Sequence, residues 1–212
     1  MKVTVNVDVD GVVYDFNDAI TQFAESAWKM CLPPTEHWQI WKSWGVTAEA
    51  FDEVMFHGIR ENFVFRCGRD IEDARWGLRG LVYSGFRVRL VTAKVFEDPM
   101  IQLQAQMNTL RWLHDFEMPF HEIAFTSNKR GYIADFVIDD KPSLSWAQPA
   151  ATNILFGQPW NELHKLPVAV SDMPAAFVRA SGWRDVVSTI LAEMDIRKSV
   201  EKLLDGRERV GI

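Results

Sequence analysis

The sequence predicts an α/β fold: a doubly wound parallel sheet with a Rossmann-like core and a small helical cap inserted after the first strand. Two observations support this prediction. A β-branched run opens the chain, and stretches with helical spacing separate most of the later apolar runs. Strands that alternate with helices form parallel sheets, because each crossover helix returns the chain to the same end of the sheet.

Composition limits the classes of function. The 212 residues suffice for one domain with an elaboration and a sizeable core. A formal net charge of -6 argues against a nucleic-acid polymer as partner. No apolar run reaches membrane-spanning length, and a strand pattern stands where a signal peptide would begin, so no membrane partner is expected. Cys31 and Cys67 are too few for a disulfide framework, and a cytoplasmic, reducing compartment is therefore expected.

The first predicted strand ends in two carboxylates one residue apart. Residues 3–7 are mostly β-branched, and Asp8, Asp10 and Gly11 follow closely. Side chains alternate along a strand, so two carboxylates would not both suit a buried one. The strand therefore ends here, and the glycine allows a tight turn. Taken alone, this Asp-x-Asp spacing also fits an ordinary solvated turn.

The next seventy residues carry helical patterns. Apolar residues recur at helical spacing, and no strand pattern interrupts them convincingly. The expected helices cover Tyr14–Met30, Thr47–Met55 with Thr47 as the N-cap, and Asp70–Leu81. We expect residues 14–83 to form the cap, and residues 1–13 together with 84–212 to form the core.

Four further strands complete the predicted sheet. They are expected at Phe86–Val91, Glu122–Thr126, Ala134–Ile138 and Ala151–Phe156. Helices are expected at Pro99–Phe116 and over Trp183–Leu204. Because the carboxyl ends of parallel strands meet at one edge of the sheet, polar residues that follow different strands come together there.

The residues at these strand ends suit phosphoryl chemistry. Thr92 follows the second strand, Lys129 lies beyond the third, and Asp139 and Asp140 end the fourth. With the two aspartates of the first strand, four carboxylates would repel one another unless a cation neutralised them. Carboxylates without His or Cys favour Mg²⁺, which also binds substrate phosphates. A hydroxyl and an ammonium group suit the remaining phosphate oxygens.

The same residues resemble the motifs of a known superfamily. Four motifs of this sequence resemble, in order, those of the haloacid dehalogenase superfamily of phosphohydrolases. They are Asp8-Val9-Asp10-Gly11-Val12, Thr92, Lys129 and Ile138-Asp139-Asp140. Longer segments look like the 5′(3′)-deoxyribonucleotidase branch, namely residues 8–16, 126–129, 137–142 and 154–161. The resemblance covers roughly Val3 to Asn161.

The resemblance implies a role for each residue. Asp8 would be the nucleophile that forms an aspartyl-phosphate, and Asp10 would protonate the leaving oxygen and then activate water. The implied phosphate-binding residues are Thr92, Ala93, Lys94 and Lys129. The implied Mg²⁺ ligands are Asp8, the backbone carbonyl of Asp10, and one of Asp139 and Asp140, with Asp140 favoured.

One position departs from the branch. The branch usually follows its threonine with Ser-Pro, whereas Ala93 and Lys94 follow Thr92 here. Loss of the serine hydroxyl removes one phosphate or sugar contact, and Lys94 adds a positive charge at the same edge. Phosphate chemistry stays intact, but the substrate preference of the branch does not carry over automatically.

The cap is rich in aromatic residues, and a few of them are candidates for stacking on a base. Base–aromatic stacking contributes about 1–3 kcal/mol per base. The candidates are Phe16, Trp41, Phe63 and Phe65. We therefore expect a Mg²⁺-dependent phosphomonoester hydrolase, a 5′-nucleotidase for (deoxy)nucleoside monophosphates. A phosphatase for another small ester such as a sugar phosphate, a non-catalytic protein that retains the fold, and assembly as a homodimer all stay open.

Overall fold

Six parallel strands form a single sheet in the order β3-β2-β1-β4-β5-β6. The computed structural model describes residues 2–167, 173–174 and 176–209, with side chains through residue 198. The strands are β1 Thr4–Val7, β2 Arg87–Thr92, β3 Glu122–Phe125, β4 Phe136–Asp139, β5 Thr152–Phe156 and β6 Phe177–Ala180. The order reverses on either side of β1, which is the doubly wound arrangement. The predicted fold class is confirmed.

The central position of β1 decides where its carboxyl end lies. Val5 is paired with Val88 of β2 and with Phe136 of β4, and all three side chains are fully buried. The amide of Asp8 donates to the carbonyl of Ile138 at 2.9 Å, which extends the pairing with β4 by one residue. Asp8 therefore lies at the middle of the carboxyl edge, where ligands of open α/β sheets bind.

The sequence prediction missed β6. This strand has only four residues, is the edge strand of the sheet, and pairs with β5 alone among the described elements. A four-residue run with an arginine inside it is too short to show a clear alternation. The five predicted strands all occur, with bounds that differ by one or two residues at the ends.

In the part of the chain that the structure describes, six α-helices connect or flank the strands. They are α1 Phe16–Trp28, α2 Ile40–Trp44, α3 Ala48–Arg60, α4 Ala74–Tyr83, α5 Pro99–Asp115 and α6 Trp183–Arg209. Thr47 caps α3 as predicted, since its side chain accepts a hydrogen bond from the amide of Ala50. Within the described residues, no helix has both the length and the apolar character required to cross a bilayer.

Helix α4 starts later than predicted. Asp70 forms a bridge with Tyr14, and the amide of Ile71 donates to the carbonyl of Val13 at 2.9 Å. These contacts hold Asp70 and Ile71 outside the helix, residues 72–73 form a turn with Asp73 at a φ of +61°, and the helix begins at Ala74. Helices α1, α2 and α3 pack on one another, whereas α4 packs against α6 and β2. The boundaries of the cap, residues 14–83, stay a prediction.

Trp183 joins α6 to the rest of the core. Its ring is 1% exposed, and Nε1 donates to the carbonyl of Val12 at 2.8 Å. Gly77 of α4 lies directly against the ring, because a Cβ built at this position would be 2.2 Å from Cε3 of Trp183. Helix α4 therefore approaches this indole through a residue without a side chain.

We expect Gly77→Ala to destabilise the protein. The added methyl overlaps the buried indole of Trp183, and overpacking of this kind lowers the free energy of unfolding by about 1–3 kcal/mol. Gly80→Ala is the matched control on the same helix, since nothing lies within 4 Å of a Cβ there. The free energy of unfolding of that control should rise by about 0.5–1 kcal/mol, because alanine stabilises a helix more than glycine does. Urea unfolding measures both free energies, and equal stability of the two variants would contradict this packing.

Candidate active site

Three buried carboxylates meet at the carboxyl edge of the sheet. Asp8 follows β1, Asp139 ends β4 and Asp140 follows it. One oxygen from each lies within 4.8 Å of the others, and the three residues are between 1% and 6% exposed. Burial raises the pKa of Asp139 to about 6 and holds the pKa of Asp140 well above its usual value. Proximity to the other carboxylates raises the pKa of Asp140 further.

Lys129 bridges two of the three carboxylates. Its Nζ lies 2.6 Å from Oδ2 of Asp8 and 2.6 Å from Oδ2 of Asp139. Burial acts to lower the pKa of Lys129, but the two neighbouring carboxylates outweigh it, and the pKa is raised above its usual value. The ammonium group is therefore charged. One positive charge does not balance three carboxylates, which leaves the cluster suited to a further cation.

Asp140 presents an unsatisfied oxygen to this cluster. Its Oδ2 accepts from Nε1 of Trp160 at 3.2 Å, and its carbonyl accepts from the Asn161 amide at 2.7 Å. Its Oδ1 is buried and has no hydrogen-bond partner within the described part of the chain. A Cβ at Gly11, where φ is +72°, would lie 2.2 Å from Oδ2, so the turn after β1 requires glycine. An orphaned carboxylate oxygen in an all-oxygen donor set fits Mg²⁺.

Asp10 lies beside the acidic cluster and has a different partner. Its Oδ2 forms an ion pair with Nζ of Lys94, which is 1% exposed at its side chain. Burial raises the pKa of Asp10 and lowers the pKa of Lys94. Its other oxygen, Oδ1, is buried without a hydrogen-bond partner among the described residues. The structure therefore pairs Lys94 with the second aspartate, whereas the sequence prediction assigned it to the phosphate.

Thr92 and Ala93 lie at the end of β2. The Thr92 side chain is fully buried, and its Oγ1 has no hydrogen-bond partner in the described residues. The Thr92 carbonyl accepts from the amide of Thr126 at 2.9 Å, which continues the pairing with β3. Ala93 lines the cavity above the carboxylates. Thr92 itself lines neither of the two cavities described below, so its contact with a phosphate oxygen stays a prediction.

A cavity of about 320 Å³ opens above Asp8, Asp10 and Lys129. Its walls are mainly aromatic and apolar, with a few polar groups. The apolar lining consists of Phe16, Trp38, Met55, Phe65, Ala93, Phe96 and Trp146. The other polar lining consists of Ser127, Asn128, Lys141 and Ser145. A second cavity of about 220 Å³ shares Asp10, Phe16, Trp38 and Met55 with the first.

The structure brings three of the four predicted aromatics to these cavities. Phe16 lines both, Phe65 lines the first, and Trp41 lines the second. Phe16 and Phe65 are stacked on each other, with ring centroids 5.3 Å apart and planes 17° apart. Phe63 lines neither cavity and packs instead against Phe23, with centroids 5.4 Å apart. The structure therefore does not place Phe63 with the other candidates.

Several lining residues were not predicted. Trp38 belongs to an aromatic-rich stretch of the cap, so its composition was the available signal. Lys141, Ser145 and Trp146 lie just beyond β4, and their position after a predicted strand end could have identified them. Phe96 lies beyond β2 in the same way. Each is a common residue type in a loop, so no residue type or spacing set it apart.

Comparison with known families gives a match over most of the chain. Residues 2–195 match the family model described as 5′ nucleotidase, deoxy (pyrimidine), cytosolic type C protein (NT5C). A protein of Chlorobaculum tepidum, named "Putative 5'(3')-deoxyribonucleotidase", is 27% identical over 198 residues. That alignment covers 90% of this chain and 91% of the relative. The match therefore extends over both the strand-end motifs and the helices between them.

Solved structures share the fold. A "Putative haloacid dehalogenase-like hydrolase" from Bacteroides fragilis superposes with a TM-score of 0.55 at 12% identity, over 85% of this chain and 97% of that one. The D,D-heptose 1.7-bisphosphate phosphatase from B. bronchiseptica gives a TM-score of 0.50 at 15% identity, over 91% and 99%. At these identities the likeness concerns the fold alone. The family match decides the assignment: the chain belongs to the cytosolic type C 5′-nucleotidase family and is a hydrolase of the haloacid dehalogenase-like phosphatases.

Proposed function

We propose that the protein is a Mg²⁺-dependent nucleotidase that removes the phosphate of (deoxy)nucleoside monophosphates through an aspartyl-phosphate at Asp8. One observation carries the proposal: Asp8 of the acidic cluster and its partner Lys129 form the floor of a cavity whose walls are mainly aromatic, and Asp140 of the same cluster lines the adjoining cavity. The floor suits a metal-bound phosphoryl group, and the walls suit a flat, uncharged ring. The Chlorobaculum relative carries a deoxyribonucleotidase name, which agrees with this substrate class.

Asp8 is the best-placed nucleophile. Its Oδ1 accepts from the amide of Val9 at 2.7 Å and its Oδ2 contacts Lys129, so both carboxylate oxygens are held in one orientation. A preoriented carboxylate attacks phosphorus with little loss of conformational freedom. The bond from phosphorus to the ester oxygen breaks as the Asp8–phosphorus bond forms, and water later releases inorganic phosphate. In the proposed mechanism, Lys129 and the hydroxyl of Thr92 stabilise charge on the phosphoryl oxygens.

Mg²⁺ would be held by Asp8, Asp140 and Asp139, the three residues that supply oxygen donors at the cluster. When bound, it offsets the repulsion between the carboxylates and an incoming phosphate. The side chain of Asp10 is not among these carboxylates, and one of its oxygens is held by Lys94. Its backbone carbonyl would be a further Mg²⁺ ligand, and in the proposed mechanism its carboxyl group gives a proton to the leaving oxygen and later takes one from water.

Selectivity must come from the cavity walls. A nucleoside monophosphate and a sugar phosphate present the same phosphoryl group to Asp8, Thr92 and Lys129, so these residues cannot discriminate between them. Binding energy from remote parts of a substrate can raise the rate at the reacting centre. Phe16 lines both cavities and stacks on Phe65, which makes it the best-placed of the predicted aromatics. A phosphatase of other small esters would need no such wall.

We expect Asp8→Asn to abolish turnover while the fold persists. An amide is too weak a nucleophile to form the acyl-phosphate, so kcat should fall by about 10³-fold or more. The free energy of unfolding should stay equal or rise, because one of the mutually repelling carboxylates is gone. Asp52→Asn on the exposed face of α3 is a matched control that should keep full activity. Near-normal phosphate release by the Asp8 variant would exclude the covalent mechanism.

We expect Phe16→Ala to reduce selectivity for nucleotides. The measured quantity is the ratio of kcat/KM for a nucleoside monophosphate to kcat/KM for glycerol phosphate. Loss of one stacked base contact of about 1–3 kcal/mol should lower this ratio roughly tenfold to a hundredfold. Phe63→Ala is the matched control, since it removes the same ring from a position outside both cavities. If the two variants change the ratio equally, or the wild type shows no preference, a generic phosphatase replaces the nucleotidase.

A further inference from the structure

A buried lysine lies next to the acidic cluster and outside the residues that line the cavities. The Lys94 side chain is 1% exposed, although it follows β2 in a loop and carries an ammonium group. Burial of a charged group is costly unless it is paired, so a lysine in this position needs a specific partner. Lys94 does not line either cavity, whereas its neighbour Ala93 does. Direct contact with a substrate phosphate is therefore not the role that its location favours.

Lys94 is held from two sides. Its Nζ forms an ion pair with Oδ2 of Asp10 and lies 3.7 Å from the ring centroid of Phe65, a cation–π contact. The carbonyl of Lys94 accepts from Nε2 of Gln106 at 3.1 Å, which ties the loop to α5. Phe65 has φ of +63°, a conformation that few residues other than glycine adopt. The backbone at Phe65 therefore accepts an unusual conformation, and in it the ring lies against the ammonium.

The two carboxylate oxygens of Asp10 have different surroundings. Lys94 engages Oδ2, whereas Oδ1 has no hydrogen-bond partner among the described residues. Asp10 itself lines both cavities. An ion pair on one oxygen restricts rotation of the carboxyl group and so fixes the orientation of Asp10 at the cavity. Lys94 can thus affect the reaction through Asp10 without contacting the substrate.

We propose that Lys94 is a positioning residue for Asp10: it anchors one carboxylate oxygen and so holds the carboxyl group in one orientation towards the ester oxygen that leaves. The inference rests on the proposed function, in which Asp10 transfers a proton to that oxygen while the bond to phosphorus breaks. Misplacement of a reacting group by about 1 Å can slow a reaction on the order of 10²-fold. The effect on the first step, in which the leaving group departs, should appear only where the leaving oxygen needs a proton, because the later attack of water is common to all esters.

Two esters with different leaving groups test this. A nucleoside 5′-monophosphate leaves as an alkoxide that requires protonation, whereas p-nitrophenyl phosphate leaves as a stable phenolate. In a single turnover, Lys94→Met should slow release of the leaving group from the nucleotide about 10- to 100-fold, with little change in KM, and slow release from the aryl ester less than about threefold. Lys94→Gln keeps a hydrogen-bond donor and provides a milder variant if Lys94→Met folds poorly. It should show the same difference between the two esters with a smaller loss.

A double-mutant cycle with Asp10→Asn separates action through Asp10 from other roles. If Lys94 acts through Asp10, adding Lys94→Met to Asp10→Asn slows release of neither leaving group further in a single turnover. A raised KM and equal losses on both esters, or a further loss in the Asp10→Asn background, would overturn the positioning role and favour phosphate binding. Equal slowing of leaving-group release from both esters by Asp10→Asn alone would contradict the proposed role of Asp10 as acid, and this inference would fail with it.

Discussion

The repulsion among three buried carboxylates is the constraint on which the rest of the site depends. Asp8, Asp139 and Asp140 lie within 4.8 Å of one another, and Lys129 bridges two of them. The centre of the sheet supplies two of these residues, because β1 and β4 are neighbours and both end there. Local contacts fix the position of the third residue, Asp140. Hydrogen bonds from Trp160 and Asn161 hold Asp140, so its unsatisfied oxygen stays in the cluster.

The floor of the cavity serves the chemistry, and its walls serve selectivity between substrates. The floor contains the charged groups, which act on any phosphate ester, and the walls contain the aromatic rings. Lys94 connects the two, since it pairs with Asp10 on one side and contacts the ring of Phe65 on the other. A change in the wall at Phe65 would therefore reach Asp10 through one intervening side chain. This connection has no counterpart in the Ser-Pro pair that is usual for the deoxyribonucleotidase branch.

Much of the fold and of the charged floor was predictable, because strand ends follow from local patterns. Parallel strands then bring Asp8, Thr92 and Asp139 to one edge without further information. The walls were less predictable. Phe63 and Phe65 are two residues apart and would share one face of an extended segment, but turns at residues 61–62 and 64–66 separate them, and only Phe65 lines the cavity. The pairing of Lys94 with Asp10 joins residues 84 positions apart, and the sequence contains no local signal for it.

The need of the acidic cluster for a divalent cation is tested most directly by the effect of Mg²⁺ on thermal stability. A cation that binds only the folded protein stabilises it by about 2.7 kcal/mol at 100 times its Kd, which corresponds to roughly 5–10 °C in Tm for a chain of this size. We expect this rise in the wild type at constant ionic strength. Asp140→Asn should start from an equal or higher Tm and show little rise, because one ligand and one repelling charge are gone. Equal rises in both proteins, or none in the wild type, would show that these carboxylates do not hold the metal.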